Sequence, residues 1–160
     1  MNESNHKPTI VLVDDEEMVL TSISSLLEME SDYTIKTFTS PEKAVKYIED
    51  NGVDLVISDY LMEEMNGITF LAEVKKIKPD IPRIIITGYA DKENAIKAIN
   101  EVGLFQYIEK PWDNSDLLLK IRNGVEKFGL IRKLEKKISE LNVANSERTD
   151  IYEKMIATFV

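Results

Sequence analysis

Five short apolar runs, separated by longer amphipathic segments, constrain the fold of this chain more than any other feature. The runs favour β-strands because several are rich in β-branched residues, and they lie at Thr9–Val13, Tyr33–Phe38, Leu55–Ser58, Arg83–Thr87 and Phe105–Glu109. Helical segments follow at roughly Glu16–Met29, Pro41–Glu49, Gly67–Lys76 and Lys92–Asn100, and a long fifth helix begins at about Asn114. Because parallel neighbours need crossover connections, the sequence predicts an α/β fold, a doubly wound five-stranded parallel sheet with five helices.

The length and the residue usage limit the number of domains and the compartment. A chain of 160 residues with 43% hydrophobic residues supplies one core and an appendage, but not two full domains. It contains no cysteine, which excludes a disulfide framework, a thiolate zinc site and a cysteine nucleophile. Residues 1–7 are polar and are predicted as a disordered tail, which includes the single histidine, His6. Because the sequence has neither an apolar signal core nor a membrane-length apolar run, we expect a cytoplasmic protein that does not bind membranes.

The charge is concentrated in the part of the chain that is predicted to be globular. Residues 1–125 carry 13 Lys/Arg and 23 Asp/Glu, whereas residues 126–160 carry 7 and 6, so the net charge of −9 divides as −10 and +1. Nucleic-acid binding depends largely on basic groups that displace counterions, so this chain is not expected to bind nucleic acid directly. Divalent cations and basic partner surfaces suit the acidic part better.

Polar side chains follow four of the predicted strands, at the point where each strand ends. Asp14 and Asp15 follow the first strand, Asp59 follows the third, Thr87 ends the fourth, and Lys110 follows the fifth. Each of them alone has an ordinary explanation as a turn former, a strand residue or a surface lysine. Together they matter more, because the carboxyl ends of parallel strands share one edge of the sheet, where ligands bind.

Converging carboxylates at that edge would repel one another and need a counterion. A site made of oxygen ligands that retains waters is what Mg²⁺ prefers. Asp59 is the candidate nucleophile for a phosphoryl group, while Mg²⁺ and Lys110 would neutralise the phosphoryl oxygens during transfer. The sequence therefore predicts a magnesium-dependent site that handles phosphoryl groups.

The ordered set of these motifs resembles the response-regulator receiver domain over about residues 8–125. The resemblance is carried by Asp14-Asp15 after TIVLV, Asp59 within DYLMEEMNG, Thr87-Gly88 after RIIIT, and Tyr107 followed by Lys110-Pro111. It implies a flavodoxin-like fold with strand order 2-1-3-4-5. It divides the chain into a tail at 1–7, a receiver domain at 8–125 and a helical linker or coiled-coil extension at 126–160.

The resemblance also implies a role for each site residue. Asp59 would accept a phosphoryl group from a histidine kinase or a phosphotransfer protein. Mg²⁺ would be held by Asp14, Asp15, Asp59 and the backbone carbonyl of Leu61, with Asp15 as the direct ligand of the acidic pair and Asp14 acting through water. No enzymatic turnover is expected beyond self-phosphorylation from a donor and slow self-dephosphorylation.

The remaining motif residues would form the conformational switch of a receiver. Lys110 would pair with one phosphoryl oxygen and Thr87 would hydrogen-bond another, after which Tyr107 would rotate from a solvent-facing to a buried rotamer. Phosphate thus adds charge and acceptor oxygens that one conformation satisfies better than the other. The resemblance further implies a cis peptide bond between Lys110 and Pro111.

The chain departs from the usual receiver pattern in the loop after Asp59. Glu63 stands where receivers usually have proline, and Glu64 follows it, so the loop is predicted to be more flexible and more negative. Leu61 and Tyr89 occupy positions that, by resemblance, control the access of water to the phosphoryl group. Because both are bulky and neither is a good acid or base, we expect slow self-dephosphorylation.

The C-terminal third contains apolar residues at heptad spacing. The seam begins with Ile131, Leu134, Ile138 and Leu141, and the same register continues through Asn145, Arg148, Tyr152, Met155 and Phe159. Isoleucine at a, leucine at d and a buried asparagine at a favour a parallel two-stranded coiled coil, so a homodimer through residues 131–159 is predicted. The alternative is a helix folded back on its own receiver. Gly124 and Gly129 weaken the preceding helix and mark a candidate hinge.

Three further interpretations concern what the chain does and what it is joined to. The apolar end, EKMIATFV, suggests a helix that leads into an output domain, and the KPW sequence at 110–112 resembles receivers joined to HD-GYP phosphodiesterase domains or to transcriptional activators. The rival enzyme class is a magnesium-dependent phosphatase of the haloacid-dehalogenase type, whose nucleophile normally follows the first strand. A third interpretation is a receiver that acts mainly as an interaction module.

Overall fold

All of the predicted strands and helices are present, each within one residue of its predicted bounds. The computed structural model describes residues 6–144 and 156–157. The strands are β1 Thr9–Val13, β2 Thr34–Phe38, β3 Leu55–Asp59, β4 Arg83–Thr87 and β5 Gln106–Glu109. The helices are α1 Glu17–Glu30, α2 Pro41–Asp50, α3 Gly67–Ile77, α4 Lys92–Glu101 and α5 Asn114–Ala144, and a short 3-10 turn at Tyr89–Asp91 precedes α4.

The strands form one parallel sheet in the order β2-β1-β3-β4-β5. The α/β prediction of a flavodoxin-like, doubly wound sheet is therefore confirmed. Strand order reverses at β1, which has β2 on one side and β3 on the other, so the connections after β1 and β3 diverge. The crevice that this divergence leaves at the carboxyl ends lies next to Asp14 and Asp59.

Successive residues of the central strands point alternately into two separate cores, one on each face of the sheet. One core lies between the sheet and α2, α3 and α4, and its strand residues are Val11, Val13, Val56 and Ile85. The other core lies between the sheet and α1 and α5, and its strand residues are Ile10, Leu12, Leu55, Ile57, Ile84, Ile86 and Ile108. Burial on both faces explains why β3 and β4 are continuously buried and why their sequences are apolar without alternation.

The helix ends follow from local hydrogen-bond chemistry. Ser40 accepts a hydrogen bond from the backbone N–H of Lys43 and is followed by Pro41 at the first helical position. Asn66 caps α3 by accepting a hydrogen bond from Thr69 N at 2.9 Å. Gly103, after α4, has φ of 73°, a left-handed conformation that glycine adopts without steric cost.

A buried arginine connects the amino-terminal end of β4 to two helices. Arg83 is 3% exposed, and its guanidinium donates hydrogen bonds to the carbonyl oxygens of Leu71 at 3.0 Å, Val102 at 3.0 Å and Gly103 at 2.8 Å. Val102 and Gly103 lie at the carboxyl end of α4, where unpaired carbonyls and the helix dipole favour a cation. Arg83 thus holds the end of α4 against the sheet.

The chain divides into two units between Phe128 and Gly129, within the span of α5. In the first unit, a Cβ placed on Gly124 would lie 2.5 Å from Leu55 Cδ1, so this glycine allows α5 to pack closely on the sheet. Gly124 therefore has a packing role, whereas a Cβ on Gly129 would have no atom within 4 Å, and the hinge at these two glycines stays a prediction.

The structure describes only part of the two ends of the chain, for which a disordered tail and a coiled coil are predicted. His6, expected in the disordered tail, forms a 3.0 Å hydrogen bond with Asp54 at the amino-terminal side of the sheet. Residues 1–5 and the seam positions Asn145, Arg148, Tyr152, Met155 and Phe159 lie outside the described residues. Among the helices that the structure describes, none combines the length and apolar character of a membrane span.

Candidate functional site

Three acids meet at the carboxyl edge of the sheet, as the strand-end pattern predicts. Asp14 and Asp15 follow β1 and Asp59 ends β3, and one carboxylate oxygen from each lies within 4.8 Å of the others. Lys110, which follows β5, places its Nζ 2.9 Å from Asp59 Oδ1. Asp14 and Asp59 are buried, whereas Asp15 is exposed. The four side chains thus form one compact, charged site.

Backbone hydrogen bonds hold the end of β3 in place around Asp59. Tyr60 N donates to Ile86 O at 2.8 Å, which extends the pairing of β3 with β4 by one residue. Gly67 N donates to Tyr60 O at 2.8 Å, which closes the loop between Asp59 and α3. Asp59 is therefore presented on a rigid strand end rather than on a mobile loop.

The electrostatics of the site follow from burial and from crowded charge. The pKa of the Asp14 carboxyl is raised to about 6, mainly by burial and in addition by the nearby Asp59, while the hydrogen bond from Glu16 N acts in the opposite direction. Burial also raises the pKa of Asp59, although the hydrogen bond from Lys110 acts in the opposite direction. Burial alone would lower the pKa of Lys110, but its hydrogen bond with Asp59 and the surrounding acids raise it, so the ammonium stays charged at neutral pH.

The donor set fits a hard divalent cation. Asp14 accepts a 2.8 Å hydrogen bond from Glu16 N on Oδ1, but among the described residues its buried Oδ2 has no hydrogen-bond partner. A buried oxygen without a partner is costly unless a cation or water satisfies it. Three carboxylates and no nitrogen or sulfur ligand are the chemistry that Mg²⁺ prefers.

The predicted switch residues lie on the neighbouring strands. Thr87 is fully buried at the end of β4, and its Oγ1 donates to the carbonyl of Gly88 at 3.1 Å. Tyr107 on β5 is half-buried, and Lys120 of α5 donates to its carbonyl at 3.1 Å and lies 5.5 Å from its ring centroid. Sequence analysis missed Lys120, whose only signal is its spacing of four residues from Asp116, with which it forms a 3.1 Å ion pair.

The remaining positions lie in the loops at the same edge. Leu61, two residues after Asp59, has a side chain that is 62% exposed, and Tyr89, after β4, is 85% exposed. The peptide bond between Lys110 and Pro111 is cis, as the resemblance implies.

Gly67 is a further site residue that sequence analysis did not identify. A Cβ on Gly67 would overlap the backbone carbonyl oxygen of Asp59. The amino-terminal end of α3 can therefore approach Asp59 only because residue 67 has no side chain. Its only sequence signal is the position of Gly67 at the start of the predicted third helix.

Replacement of Gly67 by Ala should destabilise the chain by about 2 kcal/mol, because the backbone of β3 or α3 must shift to admit the methyl group. Chemical denaturation followed by circular dichroism measures the loss. Gly52→Ala is the matched control, since nothing lies within 4 Å of the Cβ it would add. Equal stabilities of the two variants would contradict the close approach of α3 to Asp59.

Replacement of Asp14 by Asn should stabilise the metal-free chain at neutral pH by about 3 kcal/mol. Burial raises the pKa of Asp14 from 3.8 to about 6, so the folded state binds more protons than the unfolded state between these values. The free energy of unfolding therefore falls as the pH rises through this window, and the amide removes that loss.

Denaturation of wild type and Asp14→Asn in EDTA, measured from below pH 3.8 to neutral pH, tests this expectation. The exposed acid Asp80 gives a control of equal charge change, Asp80→Asn, for which a much smaller effect is expected. A gain for Asp14→Asn that is independent of pH would point to a cause other than this carboxylate.

Comparisons with known proteins give a consistent result. Residues 10–122 match the family model of the response regulator receiver domain. The hydrogenase transcriptional regulatory protein HoxA of Cupriavidus necator is 35% identical over 127 residues, which are 79% of this chain and 26% of that protein. The signal receiver domain of an HD domain-containing protein from Pseudomonas fluorescens Pf-5 is 34% identical with a TM-score of 0.76, covering 83% of this chain and 97% of that one. A response regulator receiver domain protein from Clostridium thermocellum is 35% identical with a TM-score of 0.73, covering 78% and 98%.

A doubly wound sheet that gathers three acids and a lysine at its carboxyl edge defines a class of signalling switches. The chain belongs to the response regulator receiver domain family of two-component systems. It spans about a quarter of the length of curated relatives such as HoxA.

Proposed function

We propose that the chain accepts a phosphoryl group on Asp59 from the phosphohistidine of a kinase or a phosphotransfer protein. A carboxylate oxygen of Asp59 attacks phosphorus while the bond between phosphorus and the histidine nitrogen breaks, and the imidazole leaves with that electron pair. The observation that carries the proposal is the 2.9 Å pair between Lys110 Nζ and Asp59 Oδ1 at the centre of the acid cluster. A cation beside the nucleophile is already placed to neutralise an incoming phosphoryl oxygen.

Asp14, Asp15, Asp59 and the backbone carbonyl of Leu61 are the groups that would hold Mg²⁺. When bound, the ion would offset the charge of the acids and of the phosphoryl oxygens. Asp59 itself is supported by β3, and Lys110 is supported by the backbone hydrogen bond from its N–H to Thr87 O at 2.9 Å. This hydrogen bond couples the lysine to the residue that would sense the phosphoryl group.

Thr87 and Tyr107 are proposed to carry the signal away from the site. The Thr87 hydroxyl, which now donates to Gly88 O, would turn to a phosphoryl oxygen. That movement would free space for Tyr107, which is one strand away, to rotate inward. The face built by α4, β5 and α5 would then change its surface and control dimerisation or an output domain.

Labelling with acetyl phosphate tests the proposal. In the presence of Mg²⁺ the intact mass should increase by one phosphoryl group per chain, and EDTA should prevent the increase. Continuous release of phosphate from generic phosphate esters, without a labelled chain, would instead support the phosphatase of the haloacid-dehalogenase type. Absence of labelling under all conditions would support the receiver that acts only as an interaction module.

The phosphoryl group is proposed to be lost slowly from the isolated chain. Leu61 and Tyr89 beside the site are bulky, and neither side chain can position or deprotonate an attacking water as an acid or a base. We expect the label to persist well beyond seconds with Mg²⁺ present. Loss of the label within seconds would contradict this expectation.

The carboxyl-terminal part of α5 is proposed to form a parallel homodimer through residues 131–159. Within the described residues, Leu134 and Leu141 of the seam are 61% and 46% exposed, and Ile131 and Ile138 are half-buried. Burying such a stripe against a second copy removes apolar surface from water. Light scattering on the chain with and without residues 130–160 tests the dimer. We expect the full chain to be a dimer and the shortened chain to be a monomer. A monomer in both cases would favour the folded-back helix.

The chain is further proposed to act in the cytoplasm as the receiver part of a longer regulator. HoxA is named as a transcriptional regulatory protein, and the Pseudomonas structure comes from an HD domain-containing protein. Both kinds of relative agree with the output classes that the KPW sequence at 110–112 suggested. The acidic balance of residues 1–125 continues to argue against direct nucleic-acid binding by this part.

A further inference from the structure

Glu63, which stands where receivers usually have proline, makes a contact that proline could not make. The backbone N–H of Glu63 donates a 3.3 Å hydrogen bond to Asp15 Oδ2. Proline has no backbone N–H, so a chain with proline at residue 63 would leave this carboxylate oxygen without that donor. The identity of residue 63 therefore bears directly on Asp15.

Asp15 needs an external anchor more than the other two acids of the cluster. Asp14 is buried and accepts a hydrogen bond from Glu16 N, and Asp59 is buried and paired with Lys110. Asp15 is exposed, so its side chain is free to sample several rotamers unless a hydrogen bond holds it. A carboxylate that accepts one N–H retains lone pairs for a cation, so the Glu63 amide can orient Asp15 without displacing a metal ion.

The loop that carries this amide, which its two acids predict to be more flexible, is held at several points. Glu64 Oε2 accepts a 3.2 Å hydrogen bond from Ser40 Oγ at the start of α2. Met62 Sδ lies 3.9 Å from Ser58 Oγ, and Gly67 N donates to Tyr60 O at 2.8 Å. The backbone between Asp59 and Gly67 is therefore fixed on both sides of Glu63, and its amide is placed before any ion arrives.

We propose that the backbone amide of Glu63 is a positioning group for Asp15 and increases the affinity of the acid cluster for Mg²⁺. The hydrogen bond orients the one exposed ligand in advance, so less side-chain freedom is lost when the ion binds. This inference rests on the proposed function, because it requires that the cluster bind Mg²⁺.

Two substitutions separate the amide from the side chain. Glu63→Ala removes the carboxylate but keeps the N–H, whereas Glu63→Pro removes both. Titration of the full chain with Mg²⁺ alone by isothermal calorimetry should give a Kd for Glu63→Pro about three- to tenfold higher than for Glu63→Ala. Equal affinities, or tighter binding by Glu63→Pro, would overturn the inference. If wild type itself binds no Mg²⁺, the metal site of the proposed function fails instead.

A second measurement does not depend on the proline variant. Amide hydrogen exchange in the metal-free full chain, followed by nuclear magnetic resonance, reports the Glu63 N–H directly. In Asp15→Ala the exchange of the Glu63 amide should accelerate about threefold or more, while that of the Thr69 amide, which is bonded to Asn66, should not change. An unchanged Glu63 amide would show that Asp15 does not hold it and would overturn the inference, including where Glu63→Pro does not fold.

Discussion

Replacement of Asp59 by Asn should abolish phosphoryl uptake from acetyl phosphate. The amide lacks the anionic oxygen that attacks phosphorus, although its size and its position at the end of β3 are unchanged. The other acids of the cluster should not replace it, because only Asp59 is paired with Lys110, at 2.9 Å, among the described residues. Intact-mass spectrometry after labelling with Mg²⁺ measures the loss, which we expect to be complete.

The matched control is Asp54→Asn, the same substitution immediately before β3, at the opposite end of the same strand. Asp54 is also nearly buried, at 5% exposure, and contacts His6 and the backbone N–H of Thr9 rather than the acid cluster. This variant should take up one phosphoryl group as wild type does. Full labelling of a folded Asp59→Asn chain would refute Asp59 as the acceptor, and peptide mapping would then locate the acid that carries the label.

Replacement of Arg83 by Met should lower the free energy of unfolding by about 3 kcal/mol. The guanidinium donates to the carbonyl oxygens of Leu71 within α3 and of Val102 and Gly103 at the end of α4, and methionine fills similar space but cannot donate to them. Part of the loss is offset, because burial lowers the pKa of Arg83, which shows that the charged group is costly to bury. We expect the melting temperature to fall by about 10 °C in a thermal scan followed by circular dichroism.

Arg122→Met is the control for this prediction. Arg122 also donates to a carbonyl at a helix end, Glu30 O at 3.2 Å, but the contact is exposed and water can replace the donor. Its removal should change the free energy of unfolding by less than about 0.5 kcal/mol. Comparable losses for the two arginine variants would show that burial does not set the importance of Arg83.

The secondary structure could be predicted from the sequence because it depends on local patterns. β-Branched apolar runs, helical periodicity, Ser40-Pro41 and Gly103 each act within a few residues of the chain. The placement of Asp14 and Asp59 at one edge of the sheet could also be predicted from the sequence, because in a parallel sheet all the carboxyl ends lie on the same side.

Other features depended on distances between atoms that are far apart in sequence. Arg83 was read as the first residue of a strand, and only the packed structure shows its guanidinium inside the domain beneath α4. The sequence marks Gly124 as a weak point of a helix, but its lack of a side chain allows close contact with Leu55, which lies 69 positions earlier in the chain. Such roles are invisible to periodicity, because a glycine or an arginine has the same local pattern whether or not something packs against it.

The class of fold, the edge of the sheet that carries the site and the identity of its acids and lysine follow from the sequence pattern. The contacts between atoms are seen only in the folded structure. They are the ion pair of Lys110 with Asp59 across two strand spacings, the close approach of Gly67 to the Asp59 carbonyl, and the hydrogen bond of the Glu63 amide to Asp15. The physical reason is that strand and helix formation follow local preferences, whereas contacts within a few ångströms depend on side-chain rotamers and packing of the whole domain.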